Sequence, residues 1–290
     1  MHQPVKKIDM HVHCVPELDL PRTSGTNYPL PADLRRMYDQ IGIDRGVLMA
    51  PGAAPEGTCD RMSQREAFHL YDDNRDVFCT WFCNIDPRQG KNSPDTDFTH
   101  YLAYYKAKGA TGVGEMTANL YLDDPRMMNL FHHCELNEMP VLIHLGTMGN
   151  DYGVVDEEGL PRLEKVLKAF PKLIIIGHSP RFWAEFGPGS RVEYLMETYP
   201  NLWMEFSSIS GGKAMLADEA YTCRYFEKHA DRICYGTDFH EPHNLEIYDI
   251  YQKMADFMEK ISVQERISED AYRKICRENA LRLLCVKEET

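Results

Sequence analysis

Val5-Lys6-Lys7-Ile8-Asp9-Met10-His11-Val12-His13 is a short, largely apolar run that ends in two histidines at spacing two. Side chains alternate along an extended chain, so His11 and His13 point to the same side if this run is a strand. With 12 histidines in 290 residues, chance alone supplies on the order of half a His-x-His pair. The triplet therefore gains its meaning from what stands at the ends of the other runs.

Seven more β-branched or aromatic runs follow: Gly46–Pro51, Phe78–Ile85, Thr111–Met116, Val141–Leu145, Leu173–His178, Leu202–Ser207 and Ile233–Thr237. Between them, Leu34–Tyr38, Phe98–Lys108, Met127–Asn137, Leu160–Phe170, Val192–Tyr199 and Ala214–His229 carry apolar residues at the helical spacings of three and four. Gly109, Pro140, Pro171 and Pro200 punctuate the returns to strand. Eight strand–helix alternations predict an α/β protein of the (β/α)8 (TIM) barrel type, formed as a single domain over residues 1–290. An open dinucleotide-binding sheet is disfavoured, because no Gly-x-Gly-x-x-Gly follows the first run. Val263–Val286 reads as two extra C-terminal helices. The loop-like stretch Cys14–Pro31 is expected over the barrel mouth.

The composition is that of a globular protein, 43% hydrophobic and 11% aromatic. A net charge of −13 argues against a broad surface for nucleic acid or anionic membrane, while leaving room for a small basic pocket. No stretch approaches the length of a membrane span, and the opening residues lack the apolar core of a secretory signal. The nine cysteines form no Cys-x-x-Cys, so neither a zinc knuckle nor a disulfide framework is indicated. Reduced thiols in a cytoplasmic protein are expected.

The polar residues then fall into a pattern. His11 and His13 end the first run, Glu115 the fourth, His144 the fifth and His178 the sixth, and Asp238 directly follows the eighth. In a (β/α)8 barrel, catalytic groups gather at these strand ends. Imidazole and carboxylate without thiolate suit a divalent metal, Zn²⁺ first, with Mn²⁺, Fe²⁺ or Co²⁺ also accommodated. Such a metal lowers the pKa of bound water from about 15.7 to about 7. Asp238 is the natural carboxylate to take that proton and return it to a leaving group. His178 could polarise a carbonyl or act as the acid.

At this point the chain resembles the amidohydrolase superfamily, and within it the amidohydrolase-related group of small hydrolases, hydratases, lactonases and decarboxylases. The resemblance rests on Ile8-Asp9-Met10-His11-Val12-His13, Gly112-Val113-Gly114-Glu115, Pro140-Val141-Leu142-Ile143-His144, Ile176-Gly177-His178, Tyr235-Gly236-Thr237-Asp238 and the late Glu278-Asn279-Ala280-Leu281-Arg282-Leu283-Leu284. It implies that His11, His13 and Asp238 bind the principal metal. In the mononuclear branch His144 completes the set and His178 serves catalysis. In binuclear branches His144 and His178 hold a second metal, bridged by a carboxylated lysine or a glutamate from the fourth strand. This chain has Glu115 there, as TatD-type hydrolases do, so Glu115 either bridges two ions or orients a histidine.

Other residues are weighed against plainer roles. Asp9 shares the face of His11 and His13 but lies deeper, which suits support more than catalysis. Arg88 and Arg181 follow strands three and six and could clamp a substrate carboxylate, against the alternative of ordinary loop arginines. Phe182-Trp183 forms a pocket wall or a packing cluster. His240 lies near the site by chain position, and His243 reads as an exposed loop residue. Ser207-Ser208 and Gly211-Gly212 could offer donors to an anion. The Met127-Met128 pair, the tyrosines from Tyr101 to Tyr105, and His132-His133 read as helix packing or surface. No Gly-x-Ser-x-Gly is present, which disfavours a serine hydrolase.

The expected function is hydrolysis of an ester, lactone or amide bond in a small metabolite by metal-activated water. The alternative is decarboxylation of an aromatic or unsaturated acid on the same site. A metal-binding barrel without catalysis comes last, because both Asp238 and His178 are present. The partner is a small-molecule substrate, with no nucleic acid and no membrane, and a homodimer is compatible with the fold.

Overall fold

The computed structural model describes residues 4–18, 21, 25–50, 62–146 and 152–286. Its fold is the (β/α)8 barrel. The strands are β1 (Lys7–Val12), β2 (Ile43–Met49), β3 (Phe78–Cys83), β4 (Ala110–Met116), β5 (Ala118–Tyr121), β6 (Val141–Gly146), β7 (Gly153–Val155), β8 (Ile175–His178), β9 (Leu202–Phe206) and β10 (Ile233–Tyr235). The sheet order is β1-β2-β3-β4-β6-β8-β9-β10, and all eight of these strands coincide with the eight apolar runs. The two additions, β5 and β7, pair with each other off that path, and β7 also pairs with β6.

Contacts divide the chain into two compact units. The first comprises Met1–Leu48, Asp60–Thr80 and Met204–Thr290. Here β1 pairs in parallel with β2, and β9 with β10. The chain leaving β10 returns to β1, where Asp238 N–H donates to the His11 carbonyl at 2.8 Å and His13 N–H to the Phe239 carbonyl at 3.1 Å. Helix Pro31–Ile41 shows how the sequence sets its elements. Pro31 opens it, Asp33 accepts from the Leu30 N–H at 3.0 Å, and Gly42 ends it at φ +73°. Its Leu34, Met37, Tyr38 and Ile41 are buried, at the predicted spacing. Helix Gln64–Asp73, which the periodicity did not reveal, is announced by the capping pair Ser63 and Glu66.

The stretch Ala214–His229 is two helices, Ser208–Ala217 and Glu219–His229, because Asp218 caps the second by accepting from Tyr221 N–H at 2.9 Å. The C-terminal region also departs from expectation. The long helix is Leu245–Val263, ending where the two helices were expected to begin. A continuous helical run then spans Glu269–Leu283, with one π turn at Lys274–Glu278. The polar Glu246, Asp249, Lys253 and Lys260 interrupt the longer helix's sequence and hide its buried stripe of Ile247, Ile250, Tyr251, Met254 and Met258. Asn279 fastens the last run by donating to the Ala230 and Ile233 carbonyls at 2.6 and 2.8 Å.

The second unit comprises Met49–Cys59 and Trp81–Trp203. Its β4, β6 and β8 are parallel neighbours, with His144 directly opposite His178. Helices Thr99–Ala107, Pro125–Leu136, Pro161–Ala169 and Arg191–Thr198 cover them, the second and third opened by proline. Among the described residues no helix is long and apolar enough to cross a membrane. The eight described cysteines are free, and all but Cys285 are buried.

Candidate metal centre

In the first unit, strand alternation places Asp9, His11 and His13 on one face of β1. The Nε2 atoms of His11 and His13 lie 3.1 Å apart, and Asp238 Oδ1 lies 3.5 Å from the first and 3.3 Å from the second. Two donors about 2.1 Å from one cation stand about 2.9 Å apart at a right angle and about 3.4 Å apart at the tetrahedral angle. The three measured edges match that range, so this triangle fits a divalent ion.

Each corner is held from behind. Glu205, buried on β9, takes the Nδ1–H of His11 at 2.9 Å, which leaves the Nε2 lone pair facing the triangle. Ser207 Oγ donates to the same Glu205 oxygen at 3.0 Å. The carboxylate fits because residue 236 is glycine, where a Cβ would stand 2.5 Å from Glu205 Oε2. Asp238 adopts φ +55°, pinned by its N–H to His11 and by Tyr251 O–H donating to its carbonyl at 3.0 Å. Burial works to raise the Asp238 carboxyl. The imidazoles of His11 and His240, with hydrogen bonds from His13 and His240, prevail and hold it well below the usual range. It is therefore ionised, as a ligand must be.

Asp9 lies one layer deeper and supports this arrangement. Its Oδ1 accepts from the N–H groups of His11 and Thr237, and its Oδ2 from Thr237 Oγ1 and Tyr38 O–H. Burial pushes its carboxyl up to about 7 against those hydrogen bonds.

In the second unit, Glu115, His144 and His178 offer ligand atoms within 4.8 Å of one another. Glu115 Oε1 is 2.5 Å from His144 Nδ1 and 3.6 Å from His178 Nε2, while Glu115 Oε2 accepts from Tyr152 O–H at 3.0 Å. The imidazoles of His144 and His178 meet edge to face, 5.3 Å between centroids.

Of the six residues singled out at strand ends, His11, His13 and Asp238 meet within the first unit, and Glu115, His144 and His178 within the second. Arg181 follows β8 in helix Pro180–Ala184. Its Nη2 donates to Glu185 at 2.7 Å, and its Nε is buried with no hydrogen-bond partner among the described residues. Arg88 folds back instead on Asp86, donating from Nε and Nη2 at 2.8 Å each. His240 lies closer to the ligands than a loop residue need be, with Nδ1 2.5 Å from the Asp238 carbonyl oxygen. His133 bonds Thr99 on its helix surface, and the stretch Cys14–Pro31 lies partly outside the described residues.

Sequence reasoning missed Glu205 and Tyr152. Glu205 carried a signal, since a lone carboxylate inside the apolar run Leu202-Trp203-Met204-Glu205-Phe206 must find a partner when buried. Tyr152 carried none, because its role depends on the short strand β7 that follows it.

Imidazole and carboxylate ligands set at the strand ends of a (β/α)8 fold define the class: a barrel enzyme that binds a divalent metal. More particularly, the chain belongs to the amidohydrolase family, whose model matches residues 8–285. No curated protein sequence matches it. Solved structures with the same fold include 5-carboxyvanillate decarboxylase from Sphingomonas paucimobilis, at 14% identity and TM-score 0.63, covering 98% of this chain and 100% of that one. A probable 2-pyrone-4,6-dicarboxylic acid hydrolase from Acinetobacter baumannii, with citric acid bound, shares 13% identity at TM-score 0.61, covering 97% and 100%. A dihydroxybenzoic acid decarboxylase from Polaromonas, with bound manganese and an inhibitor, shares 16% identity at TM-score 0.57, covering 99% and 98%.

Proposed function

We propose that the chain is a divalent-metal-dependent hydrolase that cleaves an ester, lactone or amide bond in a small carboxylated or cyclic metabolite. The observation that carries this reading is the His11–His13–Asp238 triangle, whose edges of 3.1 to 3.5 Å are those of donors sharing one ion. A bound divalent ion supplies Lewis acidity and a lowered pKa for water, Zn²⁺ suiting the donor set and Mn²⁺ being the ion of the Polaromonas relative. His11, His13 and Asp238 hold it, with Glu205 fixing the face that His11 presents. Asp238 takes a proton from the attacking water and returns it to the leaving group. His178, buried at the end of β8, stabilises or protonates the substrate oxygen. Arg181, its buried Nε without a partner among the described residues, donates to a substrate carboxylate. The buried free thiols suit a cytoplasmic enzyme.

The likeness to two decarboxylases favours one second reading, loss of CO₂ from an aromatic or unsaturated acid on the same residues. A panel of dicarboxylic lactones, esters, amides and hydroxybenzoic acids, run with Zn²⁺ and with Mn²⁺, separates the two. Release of acid or amine without CO₂ is expected. CO₂ release without hydrolysis would overturn the first reading in favour of the second.

A further inference from the structure

Away from the ligand groups, the first unit carries a surface feature that the reaction does not use. Helices Ser208–Ala217 and Leu245–Val263 touch at Gly212, where a Cβ would stand 2.6 Å from Ile250 Cγ1 and 2.8 Å from Met254 Sδ. Beside that close contact the helices leave a hollow of about 730 Å³, with Ile209, Leu216 and Ile250 in its apolar lining. Leu245 also borders it and is 82% exposed, the most exposed large hydrophobic side chain among the described residues. An uncovered apolar side chain thus stands next to an uncovered apolar hollow.

The charges around the hollow are balanced. Two lysines, Lys213 and Lys253, and two acids, Glu246 and Asp249, line it, on a chain whose net charge is −13. Lys253 pairs with Asp249 on its own helix at 2.5 Å. Lys213 on one helix and Glu246 on the other have no ion-pair partner among the described residues. A surface made for a strongly basic or acidic partner would carry one sign. A two-fold contact instead needs knob and hollow, and both signs of charge, on a single patch, because the same residues serve both sides. A balanced patch also lets two copies of an acidic chain meet there without a like-charge penalty.

We propose that this groove is the contact of a homodimer, in which Leu245 of each copy enters the hollow of the other and Lys213 of each faces Glu246 of the other across a two-fold axis. The nine residues that line the groove form the centre of that contact. The surrounding surface supplies the rest of the about 20–30 residues a side usual for a stable interface. The proposal is independent of the reaction that the metal centre performs.

Sedimentation velocity on the full chain over a range of concentrations tests it. The wild type should sediment as a dimer of the 33.5 kDa chain. Leu245→Asp should weaken the dimer at least about tenfold, and it spares the fold because an acid is favoured in the first turn of a helix. Lys213→Glu and Glu246→Lys should each sediment as monomers, since each sets like charges against one another at both ends of the contact. An equimolar mixture of these two variants should sediment as a heterodimer, because mixing sets every reversed charge against its opposite. No folding defect can produce that recovery. A wild type that is monomeric throughout, a dimer untouched by all three substitutions, or a mixture that stays monomeric would each overturn the proposal. A monomeric wild type that binds anilinonaphthalene sulfonate, with binding lost in Leu245→Asp, would assign the groove to a small amphiphile instead.

Discussion

The two ligand groups are made of the same parts, two imidazoles and one carboxylate each, and differ in spacing. In the first unit the three donor atoms stand 3.1, 3.3 and 3.5 Å apart, and the supporting carboxylate Glu205 is a fourth residue behind His11. In the second unit the carboxylate oxygen of the group lies against both imidazoles, 2.5 Å from His144 Nδ1 and 3.6 Å from His178 Nε2. Both groups place their donor atoms close enough to share an ion.

The largest effect should come from breaking the triangle. His13→Ala or Asp238→Asn should lower kcat/KM by at least about a thousandfold and abolish stoichiometric metal binding, read by metal analysis after gel filtration. A His13→Ala protein that keeps its ion at wild-type affinity would show that the seat lies elsewhere. Next comes Glu205→Gln, which leaves the triangle's donors intact but removes the acceptor for His11 Nδ1–H. Metal affinity should fall about 10- to 100-fold while the fold is retained. Gly236→Ala should reproduce that loss, because its Cβ would displace the same carboxylate. If Glu205→Gln binds metal as well as the wild type does, orientation of His11 by Glu205 is not what maintains the seat.

The contrast between the groups explains how far the sequence could be read. All eight barrel strands were legible, because most of their residues are buried and each overlaps a run rich in apolar residues. The six strand-end residues stood out for the same reason, since a polar residue at the end of an apolar run is conspicuous. The helix Leu245–Val263 was obscured by its exposed charged face, and the pair β5 and β7 is too short for any periodicity. Glu115 shows the limit most clearly. Residue type and place allow it to be a bridge or an orienting acid, and its position against both His144 and His178 is compatible with either. Tyr152 was invisible because nothing in its neighbours' types predicts that β7 turns it onto Glu115.

A smaller effect is expected beside the second group. Arg181→Met should raise KM about tenfold for a carboxylated substrate while changing kcat little, if the proposed role of Nε in recognition without bond breaking holds. Steady-state kinetics with a carboxylate substrate and its methyl ester checks this, the ester being indifferent to the substitution. Equal loss on both substrates would remove Arg181 from recognition and leave it a structural partner of Glu185.

The smallest effect is a stability effect in the same unit, away from either group. Glu164 accepts from Tyr199 O–H at 2.7 Å, pairs with Lys168 at 3.0 Å and is bonded by Arg191. The Tyr199 hydrogen bond, then Lys168 and Arg191, pull its carboxyl from 4.5 down to about 2. A depressed folded-state pKa means that the folded state favours the ionised form, so the contribution is complete above pH 4.5 and declines as pH falls toward 2. Solvent screening at this surface site reduces it to about 1 kcal/mol. Glu164→Gln should therefore be about 1 kcal/mol less stable than wild type in urea at pH 7, and that gap should narrow measurably at pH 3.5. Its metal affinity should not move. A Glu164→Gln chain that lost metal would mean that the second group responds to any perturbation of its unit.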